Sequence, residues 1–156
     1  MTKTGSPTVS GLQYKLNTQA QKTDWLPYVI GTTGTITLTN VGDRVSFRNT
    51  SSTLSTQVSG SYHYVQFNTT GLFELSGNIM SMLNYSNTLP TACFYSLFYG
   101  CTSILTPPQL PCMNLATSCY SQAFRGCTKL KYAPALPATT LAINCYVYMF
   151  YGCTSL

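Results

Sequence analysis

Acidic side chains are nearly missing from this chain. Among 156 residues only Asp24, Asp43 and Glu74 carry a carboxylate, and His63 is the only histidine. General acid–base catalysis, serine–histidine–aspartate triads and hard-cation sites are built from these side chains. So few, so scattered, leave little to build them from: the sequence predicts no enzyme, no catalytic residues, no cofactor and no metal site. Charged residues of both signs amount to 7 %, against roughly 25 % in an ordinary soluble domain. The formal charge of +5 therefore reflects missing acids rather than plentiful bases. No run of Lys and Arg resembles a nucleic-acid arm, so no nucleic-acid partner is expected. No apolar run approaches about 18 residues, so no membrane insertion is expected. The start, Met1 to Pro7, lacks the apolar core of a signal peptide. The expectation is either an export signal upstream of Met1 or passage out of the cell inside a virus particle.

What is present is Ser, Thr and Asn, with Tyr as an amphipathic filler. Aromatics make up 13 %, and with the many β-branched residues they argue against disorder. A surface rich in hydroxyls and poor in charge suits a protein working outside a cell or on a particle.

Residues up to about 76 read as strands. Thr35–Thr39 and Arg44–Arg48 both alternate polar and apolar, and Asn40-Val41-Gly42-Asp43 between them supplies turn chemistry, so the pair predicts a hairpin. Further strands are expected at Leu12–Leu16, Trp25–Ile30, Tyr62–Phe67 and Leu72–Leu75. Pro27 marks the second of these as an edge or a bulge. Six short strands at this spacing suggest a small antiparallel sandwich or open barrel. After Ser76-Gly77-Asn78 the grammar changes, and Ile79–Leu83 reads as a short helical turn that joins the two halves and caps the second.

The second half is built on a repeat. Cys93–Ile104, Cys119–Leu130 and Cys145–Leu156 align without insertion at a period of 26 residues. The linking text repeats as well: Leu110-Pro111 with Leu115-Ala116, then Leu136-Pro137 with Leu141-Ala142. Cys145, Met149 and Cys153 stand at i, i+4 and i+8, which predicts one face of a short helix in each copy. Gly152 would end that helix in the left-handed conformation, and Leu156 would point inward. One copy cannot bury its own apolar face, so neighbours stack and like residues form ladders of Phe, of Leu and Ile, and two of Cys. No polar cap comes after Leu156. The expectation is that further repeats, or another chain in an oligomer, cover that end.

Leu136–Ala142 and Met149–Leu156 resemble the BspA-like leucine-rich repeat proteins, surface proteins of gut anaerobes that also occur in their phages. Gly42–Arg48 and Ser76–Ser81 more loosely resemble the β domain that precedes such arrays. The repeat resemblance covers about residues 89–156. It implies an extracellular, non-catalytic role in adhesion to host proteins, glycans or other cells, and it assigns no binding residues.

The periodic cysteines, Cys93, Cys101, Cys119, Cys127, Cys145 and Cys153, read as small buried hydrophobes on the ladders, with disulfides as the alternative. Metal binding is disfavoured because no CxxC occurs. Cys112 stands outside the repeat as the odd thiol. His63, between two tyrosines, reads as an ordinary strand residue. Trp25 with Tyr28 offers a sugar-stacking platform, though a core tryptophan is the simpler reading. Arg125, Lys129 and Lys131 lie close in sequence; they would meet an anionic partner or form a solvated basic edge. Tyr95, Tyr99, Tyr148 and Tyr151 do not all fit the inward stripe, and exposed Tyr is favoured at recognition surfaces. These seven residues are the candidate contact surface.

The reading is therefore α+β: a small antiparallel β-sandwich-like domain over residues 8–76, then a short leucine-rich-type repeat solenoid of about three repeats over residues 77–156. Its expected function is recognition or adhesion at a cell surface, through a protein or glycan on another surface. The alternative is a structural protein of a phage virion, a fibre or decoration protein.

Overall fold

The computed structural model describes residues 1–7 and 9–156; the first residue of the expected N-terminal domain, at position 8, lies outside them. Six strands form: β1 (Thr2–Thr4), β2 (Leu12–Asn17), β3 (Leu26–Pro27), β4 (Arg44–Asn49), β5 (Thr56–Val58) and β6 (Ser61–Gln66). They make two three-stranded antiparallel sheets, ordered β1-β6-β5 and β3-β2-β4. In β2 and β4 the apolar residues alternate, and register pairs Tyr14 with Phe47 and Leu16 with Val45, so each pair shares a face. Tyr28 meets both Tyr14 and Phe47 edge-to-face, at 5.9 and 5.7 Å. Pro27 sits on the edge strand β3, where its missing N–H breaks no ladder.

The expected hairpin between 35–39 and 44–48 does not form. One edge of β4 is taken over its full length by β2, and 35–39 lies outside both sheets. Asp43 organises the turn differently. Its carboxylate accepts from the N–H of Thr39 and Asn40, at 3.2 and 3.0 Å, and from that of Gln19, two residues past β2, at 2.8 Å. Those hydrogen bonds, the Gln19 N–H foremost, hold the Asp43 carboxyl below its ordinary range. The strand expected over Trp25–Ile30 shrinks to two residues, and Leu72–Leu75 contributes one isolated parallel bridge, Phe73 to Ile104. β1 and β5 were not foreseen.

The expected α+β class and its leucine-rich-type solenoid are overturned. Among the described residues there is no α-helix; the one helical element is a 3₁₀ turn, Ile79–Leu83, capped by the Asn78 side chain accepting from Met80 N–H at 2.8 Å. The protein is nearly all-β, and the three sequence copies are runs of turns. The cause is a left-handed residue at every fourth position: Ala92, Ser96 and Gly100 in the first copy, Ser118, Gln122 and Gly126 in the second, Asn144, Tyr148 and Gly152 in the third. An α-helix needs unbroken right-handed dihedrals and i→i−4 bonds. Here alternate N–H groups bond at i→i−3 instead: Tyr95 to Ala92, Leu97 to Phe94, Tyr99 to Ser96. A four-residue turn period also puts i, i+4 and i+8 on one side. Cys145 and Met149 are buried as a helix would bury them, without the helix.

The other N–H groups tie copy to copy. Phe94, Ser96, Phe98 and Gly100 donate to Cys119, Ser121, Ala123 and Arg125; Tyr120, Gln122, Phe124 and Gly126 donate to Cys145, Val147, Met149 and Tyr151. Rings stack along the same direction, Phe98 on Phe124 at 5.2 Å and Phe124 on Phe150 at 5.9 Å. The series begins earlier than the sequence repeat. Phe67, just past β6, stacks on Phe98 at 5.3 Å and meets Phe47 edge-to-face at 5.2 Å, and its N–H donates to Leu97. One hydrophobic core therefore runs from the β3-β2-β4 sheet into the copies. Leu156, expected to point inward, is 51 % exposed, while its counterparts Ile104 and Leu130 are fully buried, because no later copy lies against it.

Candidate functional site

The turn geometry brings part of the predicted contact surface together. Tyr99, Arg125 and Tyr151 hold the same position in successive copies, so stacking sets Arg125 between two tyrosines. Its guanidinium carbon lies 5.6 Å from the Tyr99 ring centre and 5.1 Å from that of Tyr151. Tyr148 approaches from the side at 5.5 Å and meets Tyr151 edge-to-face at 5.7 Å. These distances lie within cation–π range. Tyr99, Tyr148 and Tyr151 are 40, 59 and 62 % exposed, so the row is open to solvent. Arg125 Nη1 donates to Gln122 Oε1 at 2.9 Å, and Gln122 Nε2 donates in turn to the Tyr95 hydroxyl at 2.7 Å. The guanidinium is thus held in place while part of its donor fork faces outward.

Tyr95 has a different role from the one expected. Its ring stacks on Tyr62 of β6 at 3.9 Å and 8° and tilts against Tyr64 at 5.1 Å. It therefore fastens the sheet to the copies, and burial, with Tyr62 and Tyr64 adding to it, raises its hydroxyl pKa. Tyr62 also bonds to Ser118 through its hydroxyl at 3.0 Å. Lys129 and Lys131 lie one turn further along, both exposed. Gln122, the residue that orients Arg125, was missed. The place of Arg125 between two rings was legible, since the position that is Tyr in the first and third copies is Arg in the second; Gln122, aligned with Ser96 and Tyr148, left no such signal.

The remaining candidates have structural places. All seven thiols are free. Cys101, Cys127 and Cys153 donate to the carbonyls of Phe67, Phe98 and Phe124, at 2.9, 3.1 and 3.0 Å, so each thiol caps the aromatic position of the preceding layer. Burial pushes the Cys119 thiol up to about 12 and raises those of Cys93, Cys101, Cys127 and Cys153. Cys112 lines an open cleft of about 430 Å³ with Asn78, Met80, Tyr85 and Asn114. His63 Nδ1 accepts from Ser6 N–H at 2.8 Å, a structural tie between the N-terminal segment and β6. Trp25 and Tyr28 make no exposed platform. Tyr28 is in the core, and Arg48 covers the Trp25 ring at 4.2 Å.

No known protein family, curated protein or solved structure matches this chain.

Proposed function

We propose that the protein is a non-catalytic recognition module acting outside the cell, with the row Tyr99, Arg125, Tyr151 and the adjoining Tyr148 as its contact surface. One observation carries this reading: a guanidinium held by Gln122 between exposed tyrosine rings. Such a surface offers aromatic faces to the apolar faces of sugars and N–H donors to carboxylate or sulfate groups. Tyr and Arg are also the residues that contribute most at protein interfaces. The partner is an acidic glycan, or a glycoprotein bearing one, on another surface. The scarcity of carboxylates supports the same reading.

The test is to pass the whole chain over an array of neutral, carboxylated and sulfated glycans, alongside Arg125→Ala and Tyr151→Ala. Binding to acidic glycans that falls about tenfold in each variant, a loss of roughly 1.4 kcal/mol, is expected. Absence of binding, or binding indifferent to Arg125, would sink the proposal.

A further inference from the structure

The backbone bonds between the turn runs of successive copies run one way, while in the linking segments Lys131 N–H donates back to Leu105 and Thr140 N–H back to Met113. The first copy gives five N–H groups to the second, from Ala92, Phe94, Ser96, Phe98 and Gly100. The second gives five to the third, from Ser118, Tyr120, Gln122, Phe124 and Gly126. The turn run of each copy therefore has a carbonyl face toward the sheets and an N–H face away from them. In the third copy the corresponding donors are the N–H groups of Asn144, Tyr146, Tyr148, Phe150 and Gly152. The last aromatic rings, Tyr146 and Phe150, stack on one side only, against Tyr120 and Phe124. Ile143, Val147 and Leu156 stand exposed at the same end.

We propose that this N–H face is a docking surface for one kind of partner, a polypeptide coil of the same 26-residue turn pattern that presents its carbonyl face. The face continues the interface between the second and third copies, donor for donor, and that polarity selects among occupants. A second molecule meeting it face to face would set N–H against N–H, so a two-fold dimer through this surface is excluded. A β-strand edge is excluded as well, because each edge residue turns its N–H and its C=O to the same side, and half of its groups would repel. The opposite end is partly occupied: two of the five corresponding carbonyls of the first copy are engaged, Leu97 accepting from Phe67 N–H and Tyr99 from Gln66 Nε2 at 2.6 Å. A docked coil would extend the ring stacks over Tyr146 and Phe150. A cysteine at its counterpart of Cys153 would donate to the Phe150 carbonyl, as Cys153 does to Phe124.

The experiment compares the chain with a version extended after Leu156 by a duplicate of residues 131–156, using residue-resolved amide hydrogen exchange. The amides of Asn144, Tyr146, Tyr148, Phe150 and Gly152 are expected to exchange freely in the original. In the extended chain they should slow at least about tenfold, approaching Ser118 to Gly126. The amides of Phe94 and Phe98 report whether the extended chain is folded. The same segment supplied as a free peptide keeps the question answerable if the extension misfolds: slowing of the five amides supports the proposal, and none at millimolar peptide overturns it. Unprotected amides in a folded extended chain also overturn it, as does protection in the original through concentration-dependent self-association.

Discussion

At the scale of the residue, left-handed backbone is the feature this fold depends on most. In L-residues that conformation crowds Cβ against the following carbonyl, a strain of about 1–2 kcal/mol. Each copy holds it three times, and only the third position is glycine throughout: Gly100, Gly126 and Gly152. Gly126 has φ +74°, and an added Cβ would sit 3.6 Å from the Gly100 Cα, an ordinary contact. Gly126→Ala therefore tests conformation rather than collision. It should lower stability by about 1–2 kcal/mol, read from the urea midpoint. Asn144 has φ +57° and an exposed side chain, so Asn144→Gly should leave stability unchanged or raise it by up to about 1 kcal/mol. If Gly126→Ala proved neutral, left-handed strain would not be what shapes the copies.

At the scale of the element, the ladders make a pH prediction. Five thiols, those of Cys93, Cys101, Cys119, Cys127 and Cys153, are raised by burial. The folded chain keeps these protons where the unfolded chain, with ordinary thiols near about 8.5, loses them. The unfolded state then binds fewer protons, so stability falls as pH rises. The contribution is complete below about pH 8.5 and drains away toward about pH 12, where the Cys119 thiol ionises in the fold. The slope reaches at most about 1.4 kcal/mol per pH unit for each thiol. Urea midpoints from about pH 7 to pH 11 read it, and a midpoint flat across that range would contradict it. Cys119→Ala should be less stable at neutral pH yet lose less on alkalinisation. The ladders were legible in the sequence because a fixed period brings like residues together. The helix within each copy was misread, since periods of 3.6 and 4 cannot be told apart over the short run from Cys145 to Cys153. The left-handed positions are partly hidden: Gly152 and Asn144 suggest them, whereas Ala92, Gln122 and Tyr148 do not. The strands with clear alternation, β2, β4 and β6, were found. β1 and β5 were missed because three-residue edge strands are fixed by their partner β6, not by their own pattern. Of the candidate surface, exposed tyrosines near Arg125 were legible, while the stacking of Tyr95 on Tyr62 joins residues distant in sequence and left no local trace.

At the scale of the molecule, the question is whether sheets and copies unfold together. The aromatic series Tyr28, Phe47, Phe67, Phe98, Phe124 and Phe150 passes from the β3-β2-β4 sheet to the last copy with centroids 5.2–5.9 Å apart. Phe67 is the joint: its ring touches Phe47 on one side and Phe98 on the other, and its carbonyl takes the Cys101 thiol. Trp25 is the only tryptophan and adjoins β3, so its fluorescence reports the sheet. The buried thiols of Cys119 and Cys127 report the copies through their reaction with an alkylating reagent. If packing through Phe67 couples the parts, both signals change at one urea concentration, as two-state unfolding requires. Phe67→Ala removes a half-buried ring and should cost about 2–4 kcal/mol. It should also draw the two signals apart, because it breaks the aromatic series; the links that remain are the Tyr62–Tyr95 stack on the other sheet and the 3₁₀ turn, whose Ser81 hydroxyl donates to the Phe47 carbonyl and whose Ile79 N–H donates to Gln109. Separate transitions in the unaltered chain would show that the aromatic series is contact without cooperativity, and coincident transitions in Phe67→Ala would place the coupling in the links that remain, the Tyr62–Tyr95 stack and the 3₁₀ turn between Phe47 and Gln109.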